Sequence, residues 1–428
     1  MINFLKWLSL TLSVIALWLV INIVSTKQGW FTQAIAPKGN NTLFMSSAME
    51  SIKEKSNGNA MFMLVENGKV FDKFSISKDI PVNSDTVFGV ASLGKWIAAV
   101  GIMTLVEAGK LDLDVPVSTY LTRWQLPTSQ FDNDGVTIRR LLSHTAGITD
   151  GLGHNGFDTK EKIQPLTEHL SQALDIDEGT SGKVLVGIDP GSKWAYSGGS
   201  YNLLQLVIEE VSGLSFESYM AAKVFNPLGM NNTGYNHESV NTLAQYFDLD
   251  GNVRNYPYYT SLAATGLYTN AKDLLKFVKL HTQTEDQTFS QILSNKTLRM
   301  MREPEAKVMG LNLWGAGPII YTDNNNDDFI VGHGGASPGL NSTVRVNPET
   351  GNAIIMLTTG NRALASDTAT QWTLWETGNP DIIMLKNMIP TMIKRFLIGS
   401  IAIFIFSIVI VWRRKKPTKT NSTEIITH

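Results

Sequence analysis

The sequence predicts an α+β domain whose sheet is completed by chain from both halves, set between two apolar helices of membrane-spanning length, one at each chain end. Three observations predict it. Strand-like stretches lie near residues 60–76 and again beyond residue 317, with helical spacing between, so both halves of the chain complete one sheet. The stretch "AMFMLVENGKVFDKFSI" places Asn67-Gly68 between two strand-like runs, a strong hairpin signal. Each end carries a run without charge, Trp7 to Thr26 and Phe396 to Trp412.

The N-terminal run is about as long as a helix needs to cross a bilayer, and longer than the apolar part of a signal peptide. The nearest small-x-small site, Ala34 to Ala36, lies well beyond it and precedes Pro37, so an uncleaved anchor is expected. The C-terminal run stops on Arg413, Arg414, Lys415 and Lys416, which by the positive-inside rule puts the tail in the cytoplasm. Two spans then hold everything between them on the outer face of the cell membrane, with the lipid bilayer as a partner.

Between the spans, "NTLFMSSAMESIKEKSNG" has helical spacing and a glycine stop, and the Asn67-Gly68 hairpin follows. "GKWIAAVGIMTLVEAGK" reads as a buried helix ending at Gly109, and "GGSYNLLQLVIEEVSG" as a second helix. Strand character returns in "GPIIYTD", "FIVGHGG" and "NSTVRVNPETGNAIIMLTTG". Of the 428 residues 43% are hydrophobic and 17% charged, enough for a sizeable core. A net charge of −2, with basic residues massed only at the C-terminus, gives nucleic acid no electrostatic footprint. There is no cysteine, which removes disulfides, thiolate catalysis and cysteine-based zinc sites.

Within "ASLGK", Ser92 precedes Lys95 by three residues, which places both on one face of a helix. An extended approach, "VFGVAS", meets helix at "LGKWIAAV", so Ser92 falls at a helix N-terminus, where free N–H groups favour developing negative charge. A serine hydroxyl becomes a nucleophile when a neighbour takes its proton, and a lysine stripped of water can be that neighbour. On spacing alone, a capping serine and a surface lysine is the simpler reading.

The wider sequence changes that balance. "TVFGVASLGKWIAAVGIMTLVEAGKLDLDVPVSTYL" resembles the first signature of the penicillin-recognising serine hydrolases, the superfamily of class C β-lactamases, DD-peptidases and related esterases. "LLSHTAGI", "PGSKWAYSGGSYNLLQLVIEEVSGLSFESYM", "AATGLYTNAKDLLKF" and "GHGGASPGLNSTVRVNPETG" are similar to stretches those proteins carry later, in the same order, over roughly residues 40–362. The resemblance implies a β-lactamase/DD-peptidase-like fold, an antiparallel sheet flanked by helices plus a helical subdomain. It implies Ser92 as acylated nucleophile, Lys95 as its base and Tyr196 as second acid/base group. His333 would line an edge strand against substrate or tyrosine, and His333-Gly334-Gly335 fills the slot of Lys-Thr-Gly. The backbone N–H groups of Ser92 and Ala336 would form the oxyanion hole.

Two departures bear on substrate. Tyr196-Ser197-Gly198 stands where many members have Tyr-x-Asn, and histidine replaces the lysine of the third motif. Both point toward esterase or D-amino-acid peptide chemistry rather than antibiotic resistance. The expected protein is a membrane-anchored serine hydrolase acting through an acyl-enzyme on an ester or D-Ala-type amide, without metal or cofactor. A small ester or a cell-wall-peptide-like molecule is the expected substrate. The alternatives are a β-lactamase, or a catalytically weak penicillin- or peptidoglycan-sensing module. The expected domains are an anchor over 1–30, the hydrolase over 38–378, and a C-terminal span with basic cytoplasmic tail over 379–428.

Other motifs read as structure. "GASPG" (Gly335 to Gly339) mimics a nucleophile elbow, but Pro338 lacks the N–H such an elbow needs. "DNNNDD" (323–328) resembles a calcium loop with Asp328 at the required glycine, so a turn is expected. "DLDGN" (248–252) also reads as a turn, and His144 as a structural histidine that fixes a loop.

Overall fold

In the computed structural model, Asn67 and Gly68 take positive φ values of 51° and 72° and fold strand β1 (Ala60–Glu66) onto β2 (Lys69–Ile76), as two-residue hairpin loops require. The structure describes residues 2–152, 154–240, 242–282 and 292–414; Lys415, Lys416 and the rest of the basic tail lie outside the described residues. Six further strands follow late in the chain: β3 (Ala306–Val308), β4 (Leu311–Trp314), β5 (Ile319–Asp323), β6 (Phe329–Ser337), β7 (Leu340–Val346) and β8 (Ala353–Thr359). The eight make one antiparallel sheet in the order β2-β1-β8-β7-β6-β5-β4-β3. The expected joining of the two halves is the β1–β8 pairing, from Ala60 opposite Thr358 to Val65 opposite Ala353.

Every residue of β7 and β8 is buried, which an antiparallel strand reaches only when both faces of its sheet are covered. The cover includes α2 (Asn41–Lys55), α3 (Gly94–Glu107), α5 (Ala271–Leu280) and α6 (Leu364–Thr377). Helix α3 is apolar all round and almost wholly buried, wedged between the sheet and α4 (Gly198–Ser212) of the helical part. Side chains cap several starts: Asn40 accepts from Leu43 N for α2 and Asn270 from Asp273 N for α5. The turns expected at 248–252 and 323–328 are present, the first between the short strands Tyr246–Phe247 and Val253–Arg254, the second between β5 and β6.

The chain divides into two compact units, Ala34–Gly378 and one built from the chain ends. In the latter, α1 (Ile2–Lys27) packs along α7 (Ile382–Arg414). The indole Nε1 groups of Trp7 and Trp18 donate to Ser407 O and Phe396 O, each at 3.3 Å. Gly399 leaves room for the Trp18 indole, since a Cβ there would overlap it. Both helices are long and apolar enough to cross a membrane.

Candidate active site

Ser92 sits in a single 3₁₀ turn, Ala91–Leu93, that runs straight into α3. Ala91 immediately before it holds a left-handed φ of 47°, a strained state for alanine that persists only where its surroundings impose it. They do: Val90 N donates to Leu267 O (3.0 Å), and Val90 O accepts from Ser342 Oγ on β7 (2.7 Å). Lys95, one turn on, is 1% exposed. Its Nζ donates to Ser92 Oγ at 3.0 Å and to Ala264 O at 2.5 Å, and lies 5.1 Å from the Tyr196 ring centre and 5.7 Å from that of Tyr201. Nζ thus has two hydrogen-bond partners and two aromatic ring faces around it.

Tyr196 is 45% exposed and belongs to the segment leading into α4. His144 grips the chain on both sides of it: Ala195 N donates to His144 O (2.8 Å) and Ser197 N to His144 Nδ1 (3.1 Å). The His144 and Tyr196 ring centres are 4.4 Å apart. The loop this histidine fixes is therefore the one that aims the tyrosine. Since Nδ1 accepts, the neutral ring carries its proton on Nε2. Burial, then the charges of Lys95 and His333, hold its pKa well below the ordinary imidazole value. Ser197 caps α4 by accepting from Ser200 N (3.0 Å), and the Asp150 carboxylate takes both Ser197 Oγ–H (2.7 Å) and Gly199 N–H (2.5 Å).

The third motif lies on β6, which corrects one expectation. In strand order β6 is interior, between β5 and β7, not an edge. Its pairing with β5 ends at Gly332 opposite Ile319, whereas pairing with β7 runs on to Ser337. The edge is thus local, from His333 to Ser337, because β5 starts too late to cover it. Gly335 lies in this open half, where a Cβ would overlap Val90 O, fall 2.7 Å from Ser342 Oγ and stand 3.0 Å from Ser92 N. A Cβ on Gly334 would meet Ser342 O at 3.3 Å. Gly335 O accepts from Asn341 Nδ2 on β7 (3.0 Å), so the planar trans peptide turns the Ala336 N–H the other way, to the open side. Ser92 N and Ala336 are thereby brought to one place.

His333 differs from its expected placing. Its side chain is buried and meets Trp314 edge-on (ring centres 5.4 Å), and Trp314 in turn meets Tyr196 (5.7 Å). An indole stands between histidine and tyrosine. His333 Nδ1–H donates to Gly334 O (2.6 Å), leaving Nε2 as a bare acceptor without a partner. Burial, then Lys95, pushes its pKa down to about 3, so it is neutral at ordinary pH. Among the described residues no group of three or more His, Asp or Glu could hold a metal ion.

The sequence reading missed Asp150, Tyr201, Trp314 and the Ala264 carbonyl. A backbone acceptor leaves no mark in a sequence, and the others carry no motif. Of the seven residues it named, Lys95 lies against Ser92 and the Tyr196 ring, Gly335 lies against Ser92 N, and His333 is buried against Trp314.

A family model described as Beta-lactamase matches residues 47–378. The chain belongs to that family. Its fold is that of the β-lactamase/penicillin-binding-protein superfamily of serine hydrolases. Penicillin-binding protein 4* of Bacillus subtilis is 31% identical over 201 residues, 46% of this chain and 42% of that protein. The chain spans 42 to 59% of the length of the first curated relatives it matches. Among solved structures, the octameric penicillin-binding protein homologue from Pyrococcus abyssi is 26% identical with a TM-score of 0.65, covering 79% of this chain and 77% of that one. The D-amino acid amidase from Ochrobactrum anthropi, complexed with L-phenylalanine, is 20% identical with a TM-score of 0.60, covering 80% and 98%, and shares the fold. This β-lactamase-family chain departs from Tyr-x-Asn at Gly198, as its sequence reads.

Proposed function

We propose that this chain is a membrane-anchored serine hydrolase, facing outward, that opens an ester or a D-Ala-type amide through an acyl-enzyme on Ser92. The observation that carries the reading is the buried Lys95 side chain, whose Nζ lies within hydrogen-bond reach of Ser92 Oγ and Ala264 O. A lysine stripped of water beside a hydroxyl is the arrangement that activates a serine. Lys95 takes the Ser92 proton as Oγ attacks the carbonyl carbon. The tetrahedral oxyanion is held by the N–H groups of Ser92 and Ala336. As the carbon–leaving-group bond breaks, Tyr196 passes a proton to the departing oxygen or nitrogen. Water then repeats the attack on the acyl-enzyme, with the same groups returning proton and serine to their starting states. The partial exposure of Tyr196 supports its facing substrate.

The amide half of the substrate class draws support from the amidase neighbour's fold, the ester half from the absent asparagine at Gly198. The anchoring draws support from the two long apolar helices, and the outward orientation from the basic cluster after the second. The test is covalent labelling of membranes carrying the full chain with a fluorescent fluorophosphonate and a fluorescent penicillin, beside Ser92→Ala. Phosphonate labelling lost in the variant is expected; penicillin labelling then separates a peptidase-like from an esterase-like site. No Ser92-dependent labelling by either probe overturns the reading.

A further inference from the structure

Gly198 leaves no empty space behind it. A Cβ at this position would overlap Nε2 of His154, with Cδ2 and Cε1 of the same ring at 2.6 and 2.7 Å. The imidazole stands end-on where a side chain at 198 would begin, two residues from Tyr196. It arrives from the loop after Asp150, which bends sharply to deliver it: Gly151, His154 and Gly156 all hold left-handed φ values of 53°, 53° and 76°. For a histidine that conformation is uncommon and needs support.

The support is a buried polar chain that the reaction scheme leaves unused. His154 Nδ1 meets Ser261 Oγ at 3.1 Å, and Ser261 Oγ accepts from Asn202 Nδ2 at 3.0 Å. Asn202 Nδ2 also meets His169 Nδ1 (3.4 Å), and His169 Nε2 meets Asp175 Oδ1 at 2.6 Å. Asp175 Oδ2 accepts from Gly156 N (3.1 Å), returning the chain to the loop that carries His154. His169, Asp175, Asn202 and Ser261 are each at most 4% exposed. Ser261 lies three residues before Ala264, whose carbonyl holds Lys95, so one segment fixes both the imidazole and the lysine. At the far end Nε2 of His154 is sealed from solvent and has no hydrogen-bond partner, an arrangement that proteins seldom leave unused.

We infer that His154 is a specificity-determining residue, its imidazole taking the place beside Tyr196 that Gly198 leaves open and hydrogen-bonding an amide group of the substrate's acyl part next to the scissile bond. The inference rests on Ser92 being the nucleophile. In the free enzyme Nε2 is closed against Gly198, so the imidazole has to swing off the glycine for substrate to supply the partner it lacks. Burial, then Lys95, lowers the ring's pKa to about 4 against the opposing pull of Asp150 and Asp175, and His169 acts with Lys95. The imidazole is thus neutral at ordinary pH and adds no positive charge beside Lys95. Glycine at 198 and histidine at 154 are two halves of one arrangement, since any larger residue at 198 collides with the ring.

The test compares two esters with one leaving group, p-nitrophenyl acetate and the p-nitrophenyl ester of N-acetyl-D-alanine, which differ in the flanking amide. With His154→Ala, kcat/KM on the N-acetyl-D-alanine ester falls about tenfold or more, chiefly through KM, as expected for loss of a hydrogen bond that reads a substrate group. Turnover of the acetate and phosphonate labelling of Ser92 stay within about threefold, because neither engages the amide contact. His154→Gln, which keeps a neutral hydrogen-bonding group, recovers part of the loss. Gly198→Asn alone lowers both activity and melting temperature, whereas the pair His154→Gly with Gly198→Asn regains activity on the N-acetyl-D-alanine ester over His154→Gly. Equal loss on both esters in His154→Ala, or no loss on either, overturns the inference while the hydrolase reading stands. So does a wild-type enzyme that turns over both esters with equal kcat/KM. Absence of Ser92-dependent labelling in the wild type fails the parent reading itself, and the inference with it.

Discussion

At the scale of single residues, Gly335 shows how closely the third motif is fitted to the turn holding Ser92. Its missing Cβ is the space through which β6 passes Val90 O and Ser92 N. Gly335→Ala must push the strand away from the turn holding Ser92, and overpacking of this kind costs about 1–3 kcal/mol. The same shift misaligns Ser92 N with Ala336, so kcat is expected to fall by about a hundredfold, the scale of losing one oxyanion donor. Steady-state kinetics on a chromogenic ester with a melting curve reads both effects; an unimpaired variant would remove the oxyanion assignment. Tyr196→Phe makes the complementary case. It keeps the ring against His144 and Lys95 and removes only the hydroxyl, so the melting temperature holds. Acyl transfer drops about a hundredfold or more, as for loss of a general acid. A burst assay that separates acylation from deacylation locates the loss.

At the scale of elements, the start of α4 links stability to chemistry. Ser197 caps the helix and is itself held by Asp150, one residue after Tyr196. Ser197→Ala is expected to cost about 1 kcal/mol, the usual worth of such a cap, and to lower kcat more than it raises KM because the tyrosine loses its fixed aim. Thermal melting and kinetics on the same preparation check this; an unchanged kcat would mean that His144 alone aims the tyrosine. The elements that could be read in the sequence are those with a local cause. Asn67-Gly68 specifies its hairpin, Gly213 closes α4 with a φ of 70°, and the apolar run after Ser92 makes a helix buried on all sides. Strands β3 and β4 were not legible, because "AKV" and "LNLW" are too short for alternation to register. The local edge of β6 was also out of reach. It depends on where β5 begins, which no property of "FIVGHGG" encodes. Within the site, Ser92, Lys95 and Tyr196 were legible through motif register. His154 was not, because its partnership with Gly198 spans 44 residues and exists only as shape.

At the scale of the whole molecule, the fold stores neutral histidines. His144, His154, His281 and His333 are each depressed, and burial is the first cause for all four. His281 is pushed to about 3, next by the charge of Arg302, and lies tilted against Trp96 (ring centres 4.5 Å) far along the chain from the motif residues. In the unfolded chain each titrates near the usual 6.5, so below that pH the unfolded state binds more protons than the folded one. Stability is therefore complete above about pH 6.5 and declines as the pH falls toward 3, at about 1.4 kcal/mol per pH unit for each histidine. The same drift, from carboxylates such as Asp114 and Asp175 whose values are lowered, sets in only near and below pH 4, so histidines dominate between pH 6.5 and 4.5. The melting temperature of the full chain in detergent should thus fall steeply between pH 7 and pH 5. His281→Phe isolates one contribution without touching the reaction centre, since a phenyl ring keeps the tilted contact with Trp96 and the edge-on contact with Phe277 and cannot titrate. The expected outcome is a variant whose stability loses about one proton's worth less across that interval, with activity at pH 7 unchanged. A variant with the wild-type pH slope would mean that His281 already titrates normally in the folded state, and that the packing around it admits water.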